Sequence, residues 1–139
     1  MRAEVRWIGK RGFLAKSGSG HGLVVDVAPE SGGEGLGPSA MELLLLGLGA
    51  CTAFDVVEIL ERMREPLAGL EVELEAERAE APPRVFTRIR MRYRVRGAGL
   101  DRAKVERAVA LSAEKYCSAS VMLGKTAVIE REIELVDSP

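Results

Sequence analysis

Between Leu70 and Arg96 the chain alternates with period two in two consecutive runs of opposite charge. Leu70, Val72, Leu74 and Ala76 interleave with Glu71, Glu73, Glu75 and Glu77, and Ile89, Met91, Tyr93 and Val95 interleave with Arg88, Arg90, Arg92, Arg94 and Arg96. Successive side chains of a strand point to opposite faces, so each run is a strand with one apolar and one charged face. Glu80-Ala81-Pro82-Pro83 interrupts them and predicts a hairpin. A turn pairing Ala79 with Arg84 sets Glu75 opposite Arg88, Glu73 opposite Arg90 and Glu71 opposite Arg92, with apolar partners matched on the other face. A second Glu stripe, Glu130, Glu132 and Glu134, lies in a strand expected over Thr126 to Leu135 and is predicted to flank the Arg strand on its other edge.

That neutralisation argues against a nucleic-acid surface. Lys and Arg total 20 against 21 Asp and Glu, so the net charge of -1 provides no general attraction for polyanions. No nucleic-acid or membrane partner is expected. The chain has no Asn or Gln, and its 15 Arg outnumber its 5 Lys, a thermophile tendency. The N-terminal residues alternate rather than forming a continuous apolar core, which predicts a cytoplasmic protein. At 139 residues one domain, 1–139, is expected, with enough core to fold without metal or disulfide.

The rest of the chain completes an α+β pattern. Ala3 to Ile8, Phe13 to Ser17 and Leu23 to Val27 are short apolar runs with Gly-containing breaks, read as a three-stranded N-terminal meander. Pro29 to Pro38, with four glycines, is a loop; its Gly32-Gly33-Glu34-Gly35 lacks any cation and carries an acid that would repel phosphate. Ser39 with Glu42 forms a capping box for a long helix that runs to about Arg64, ahead of Pro66. From Leu43 to Phe54 this helix is apolar on every side, too short a run to span a bilayer, and is expected to be buried all round. One small domain cannot cover it, which predicts a homodimer. Asp101 caps a second helix over Arg102 to about Tyr116, ending at Cys117, and a short turn from Ser118 to Gly124 leads to the final strand.

The chemistry-bearing residues are few. His21 is the sole histidine, so one His and two Cys assemble no ordinary zinc site without borrowing carboxylates, and neither a Ser-His-Asp triad nor a metal site is expected. Cys51 on the apolar helix and Cys117 at the end of the second helix remain. Each fits either a small buried hydrophobe or half of a redox pair formed where the two helices meet.

Two segments carry a family resemblance: Gly37-Pro38-Ser39-Ala40-Met41-Glu42-Leu43-Leu44-Leu45-Leu46-Gly47-Leu48-Gly49-Ala50-Cys51 and Glu114-Lys115-Tyr116-Cys117-Ser118-Ala119-Ser120. They resemble the OsmC/Ohr group of thiol peroxidases, as does the order of elements over nearly the whole chain. The resemblance implies an intertwined homodimer with two wrapped central helices and sites at the subunit interface. It implies that Cys51 is peroxidatic, attacking an organic hydroperoxide to give a sulfenic acid, and that Cys117 resolves it to a disulfide that an external dithiol reduces. No cofactor is implied. In the family an Arg from the early strands, oriented by a Glu, holds the first thiol as thiolate.

Here the chain departs from the pattern. The family Glu stands ten residues before the first Cys, where this chain has Met41, with Glu42 one place and about 100° further round the helix. Arg11, with Lys10 beside it, is the candidate cation, and Glu42 the candidate acid. Asp55, one turn after Cys51, would raise a nearby thiol pKa rather than lower it. These departures keep a second expectation open: a non-catalytic relative that binds a small molecule or senses oxidants through its thiols.

Overall fold

A computed structural model describes residues 1–138 and resolves two compact units, Met1–Leu44 and Leu45 onward. In the first, β1 (Ala3–Gly9), β2 (Gly12–Ser17) and β3 (Gly22–Val25) form the expected antiparallel meander in that order. Arg11 lies exposed in the β1–β2 turn and His21 in the β2–β3 turn, where its Nδ1 is 3.0 Å from Ser19 Oγ. The glycine-rich loop folds onto the Asp26 carboxylate. The buried Asp26 carboxylate accepts from the backbone N–H groups of Val27 at 2.7 Å and of Glu34 and Leu36 at 3.2 Å each, and the Val27 contact foremost holds its carboxyl below the usual aspartate range. A Cβ on Gly33 would overlap the Val27 carbonyl, so the loop can close only with glycine there.

The capping box forms as expected: Glu42 N donates to Ser39 Oγ at 3.2 Å, and Ser39 N donates to Glu42 Oε1 at 3.1 Å. It opens α1 (Ala40–Arg62). By length and composition α1 would pass for a membrane span. Within one chain it is buried on one stripe only, Leu48, Gly49, Thr52, Val56 and Leu60, while Leu44, Leu46 and Phe54 stay exposed. The expectation of burial on every side therefore fails within a single chain, because one sheet and one helix can cover only one side of a cylinder.

In the second unit β4 (Leu67–Arg78), β5 (Phe86–Gly97) and β6 (Val128–Asp137) form a sheet with β5 in the centre. β4 and β5 run antiparallel, but two residues out of the expected register: Glu71 faces Arg94, Glu73 faces Arg92, Glu75 faces Arg90 and Glu77 faces Arg88. A two-residue slip keeps every side chain on its face, so patterning cannot distinguish the two alignments. The turn decides: Ala79 N bonds Val85 O, not Arg84, and a bulge lies between Glu77 and Arg78. The observed register also pairs a fourth Glu with an Arg. β6 runs parallel to β5 and sets Glu130, Glu132 and Glu134 beside Arg90, Arg92 and Arg94.

The parallel connection requires a helical crossover. It consists of α2 (Arg102–Leu111), capped by Asp101 accepting from Ala103 N at 2.9 Å, then a π-turn (Ser112–Tyr116) and α3 (Ser118–Leu123). The second helix thus stops being regular five residues before its expected end near Tyr116, and the expected Ser118–Gly124 turn is a short helix. The period of Val105, Ala108, Val109 and Ser112 runs smoothly into the widened turn, so nothing in the pattern marks it. The core comprises Leu48, Val56 and Leu60 of α1, Ile89, Met91, Tyr93 and Val95 of β5, and Val105, Ala108 and Val109 of α2.

A candidate thiol site on the second unit

The π-turn brings the two cysteines together. Cys117 N donates to Ser112 O at 2.8 Å, closing the wide turn and leaving Cys117 fully buried with extended backbone. Cys51 projects from the middle of α1 and is half-buried. Its Sγ, the Sγ of Cys117 and a carboxylate oxygen of Asp55 all lie within 4.8 Å of one another. Cys51 and Asp55 share a helix face because they are four residues apart.

A chain of buried hydroxyls fixes the carboxylate from inside the core. Tyr93 Oη lies 2.7 Å from Thr52 Oγ1, Thr52 Oγ1 lies 2.9 Å from Ser112 Oγ, and Ser112 Oγ donates to Asp55 Oδ2 at 2.9 Å. Each hydroxyl has one proton. Because Ser112 spends its proton on the acceptor-only carboxylate, Thr52 must donate to Ser112 and Tyr93 to Thr52. Burial pushes the Tyr93 phenol up, against the opposing pull of the Thr52 hydroxyl and Arg131.

On the other side, Ser120 N donates to Cys117 Sγ at 3.3 Å, and Arg131 Nη2 donates to Ser120 Oγ at 3.2 Å. Burial pushes the Cys117 thiol up; Ser120 opposes this, and contact with Cys51 adds to it. Arg131 Nε is buried without a hydrogen-bond partner among the described residues. A groove lined by Ile59, Met63, Leu111 and Tyr116, with Glu58 and Arg62 at its side, opens next to Asp55.

Of the four residues singled out from sequence, the structure brings together Cys51 and Cys117. Arg11 and Glu42 belong to the N-terminal unit, where Arg11 sits in a hairpin turn and the Glu42 carboxylate serves the helix cap. The sequence reading missed Thr52, Tyr93, Ser112, Ser120 and Arg131. Arg131 left a signal: β6 alternates apolar and Glu residues, and this residue occupies an apolar position, opposite buried Met91 in the ladder. A charge at an inward position requires a partner. The polar residues on α1, Thr52 and Asp55, are likewise conspicuous against their apolar neighbours.

A family model described as OsmC-like protein matches residues 32–132. Protein YhfA of Escherichia coli (strain K12) is 44% identical over 136 residues, covering 98% of each chain. Among solved structures, a hypothetical protein from Aquifex aeolicus VF5 is 28% identical, with a TM-score of 0.86 over 99% of this chain and 97% of that one. An organic hydroperoxide resistance protein OsmC from Legionella pneumophila, described as a predicted redox protein, is 19% identical with a TM-score of 0.75 over 96% of this chain and 95% of its own, a likeness of fold alone.

Proposed function

The chain belongs to the OsmC-like protein family, and from that premise we propose that it is a cysteine-based peroxidase for organic hydroperoxides, with Cys51 peroxidatic and Cys117 resolving. The observation that carries the reading is the pairing itself: a half-buried thiol stands within 4.8 Å of a fully buried one. The Cys51 thiolate attacks the terminal oxygen of ROOH, the O–O bond breaks, and Cys51 becomes a sulfenic acid as ROH leaves. The Cys117 sulfur then attacks the Cys51 sulfur, forming the disulfide and releasing water, with the Asp55 carboxylate placed to take the Cys117 proton. An external dithiol restores both thiols. The adjoining groove with Ile59, Met63 and Leu111 supports an organic substituent on the peroxide.

The exposed Leu46 and Phe54 on α1, 60% and 68% accessible, support a homodimer in which a second copy covers this face. Arg11 and Glu42 remain the proposed cation and acid for thiolate formation, and the cytoplasm the proposed location. In the test, cumene hydroperoxide oxidises wild-type protein to one intramolecular disulfide per chain, faster than hydrogen peroxide does. Cys51→Ser abolishes turnover, and Cys117→Ser stops at a sulfenic acid that dimedone traps. A second reading, an oxidant sensor or ligand-binding relative without turnover, draws support from Asp55, an anion rather than a cation beside Cys51. Thiols that react no faster than free cysteine at the same pH would establish that reading instead.

A further inference from the structure

We propose that Cys51, Asp55 and Cys117, while reduced, form a binding site for a zinc-class divalent cation. A sequence with one histidine can build such a site only by borrowing a carboxylate, and the fold supplies one. Cys51 and Asp55 present two donors from successive turns of α1, Cys117 presents a third from the end of the π-turn, and the three donor atoms lie within 4.8 Å of one another. Zinc bonds of about 2.3 Å to sulfur and about 2.0–2.2 Å to oxygen separate tetrahedral donors by roughly 3.5–3.8 Å. A contraction of about 1 Å, within the reach of side-chain rotation, therefore closes the shell around a cation.

The surroundings are those of oriented ligands. Ser112 Oγ donates to Asp55 Oδ2 at 2.9 Å and is itself held by Thr52, so the carboxylate is aimed from within the core. Ser120 N donates to Cys117 Sγ at 3.3 Å, the kind of N–H contact that stabilises a thiolate. Two thiolates and a carboxylate bring three negative charges against the two positive of the cation. Arg131, joined to Ser120 at 3.2 Å and with its Nε unpartnered among the described residues, supplies the balancing charge. Three protein donors leave one tetrahedral position for water, an open site.

Binding displaces two protons, Cys51–SH and Cys117–SH each losing one as a metal–sulfur bond forms. Where both thiols are protonated, affinity therefore rises about a hundredfold per pH unit. Cation and disulfide exclude each other: removing two electrons from the thiolate pair makes the S–S bond and leaves only the carboxylate as ligand. The inference requires reduced thiols but no peroxidase activity.

The test titrates reduced, chelator-treated full-length protein with cadmium, read by its ultraviolet thiolate-to-metal charge-transfer band, followed by zinc competition. One cation per chain is expected, with about two protons released. Asp55→Asn weakens binding about a hundredfold and Ser112→Ala about tenfold, each with the melting transition measured to establish folding. Diamide, which takes two electrons and two protons from the thiol pair, abolishes the band. No band at stoichiometric cadmium, or folded Asp55→Asn and Ser112→Ala variants that both bind as wild type does, would overturn the site. Peroxide consumption measured in chelator is a separate readout, so the cation site can fail while the peroxidase reading stands, and the reverse.

Discussion

The two faces of the β4-β5-β6 sheet hold their polar groups in opposite ways. On the outer face, Arg92 lies 3.8 Å from Glu73 and 3.6 Å from Glu132, and Arg94 lies 3.3 Å from both Glu71 and Glu134, all with substantial exposure. Each Arg there has alternative partners and water, so the pattern is redundant. On the inner face, Tyr93, Thr52 and Ser112 are almost wholly excluded from water and share a single line of hydrogen bonds to Asp55. The many charges outside select strand order and register. The few hydroxyls inside hold one carboxylate beside two thiols.

The comparison breaks most sharply at Thr52. Thr52→Val keeps the shape and removes the hydroxyl that Tyr93 and Ser112 both use, leaving two buried groups short of a partner. We expect a loss of about 1–3 kcal/mol in urea unfolding. A loss below half of that would mean that the inner network is as redundant as the outer one.

Next come two glycines one turn-half apart on α1. A Cβ on Gly49 would stand 2.8 Å from Leu74 Cδ1, whereas one on Gly47 meets nothing within 4 Å. Overpacking at the first site outweighs the gain in helix propensity, so Gly49→Ala should cost about 1 kcal/mol. Gly47→Ala should add about 0.5–1 kcal/mol. If Gly47→Ala instead destabilises and shifts sedimentation toward monomer, the outward face of α1 is covered by a second copy, which sharpens the dimer proposal.

The outer face should respond least to a single change. Arg92→Met is expected to cost about 0.2–1 kcal/mol, shrinking as salt is added, because Arg94 still lies 3.6 Å from Glu73 and the Glu132 side chain, 70% exposed, stays hydrated. A loss of several kcal/mol would overturn the claim of redundancy.

The smallest effect shows only at alkaline pH. The folded-state pKa of Cys117 lies above the unfolded value, so its contribution to stability is fully present below about 8.5 and is lost as pH rises through the raised folded value. Wild-type protein should therefore lose more stability than Cys117→Ala between neutral and alkaline pH, measured by thermal melts. Parallel profiles would place Cys117 in contact with water.

Local rules made much of this molecule legible. Period-two alternation determined the strands and their faces, the Ser39–Glu42 spacing determined where α1 begins, and opposite charges determined that β5 lies between β4 and β6. The match of Gly37 to Cys51 and Glu114 to Ser120 to a known family singled out the two thiols. These features depend on neighbours within a turn or on one strand's pairing, so sequence order is enough to express them.

Tertiary structure decided the rest. The hairpin register differed by two residues because alternation is blind to an even slip and the turn's own hydrogen bonds select one of the two alignments. The joining of Thr52, Tyr93 and Ser112 to Asp55 spans up to 60 residues of chain, and a hydroxyl carries no sequence mark of the partner it will meet. Cys117 reaches Cys51 because a π-turn interrupts a helix whose apolar period continues unbroken. The proximity of the thiols, their carboxylate and Arg131 is thus a property of packing, where free energy depends on which groups are removed from water together, and that is settled only when the helices close on the sheet.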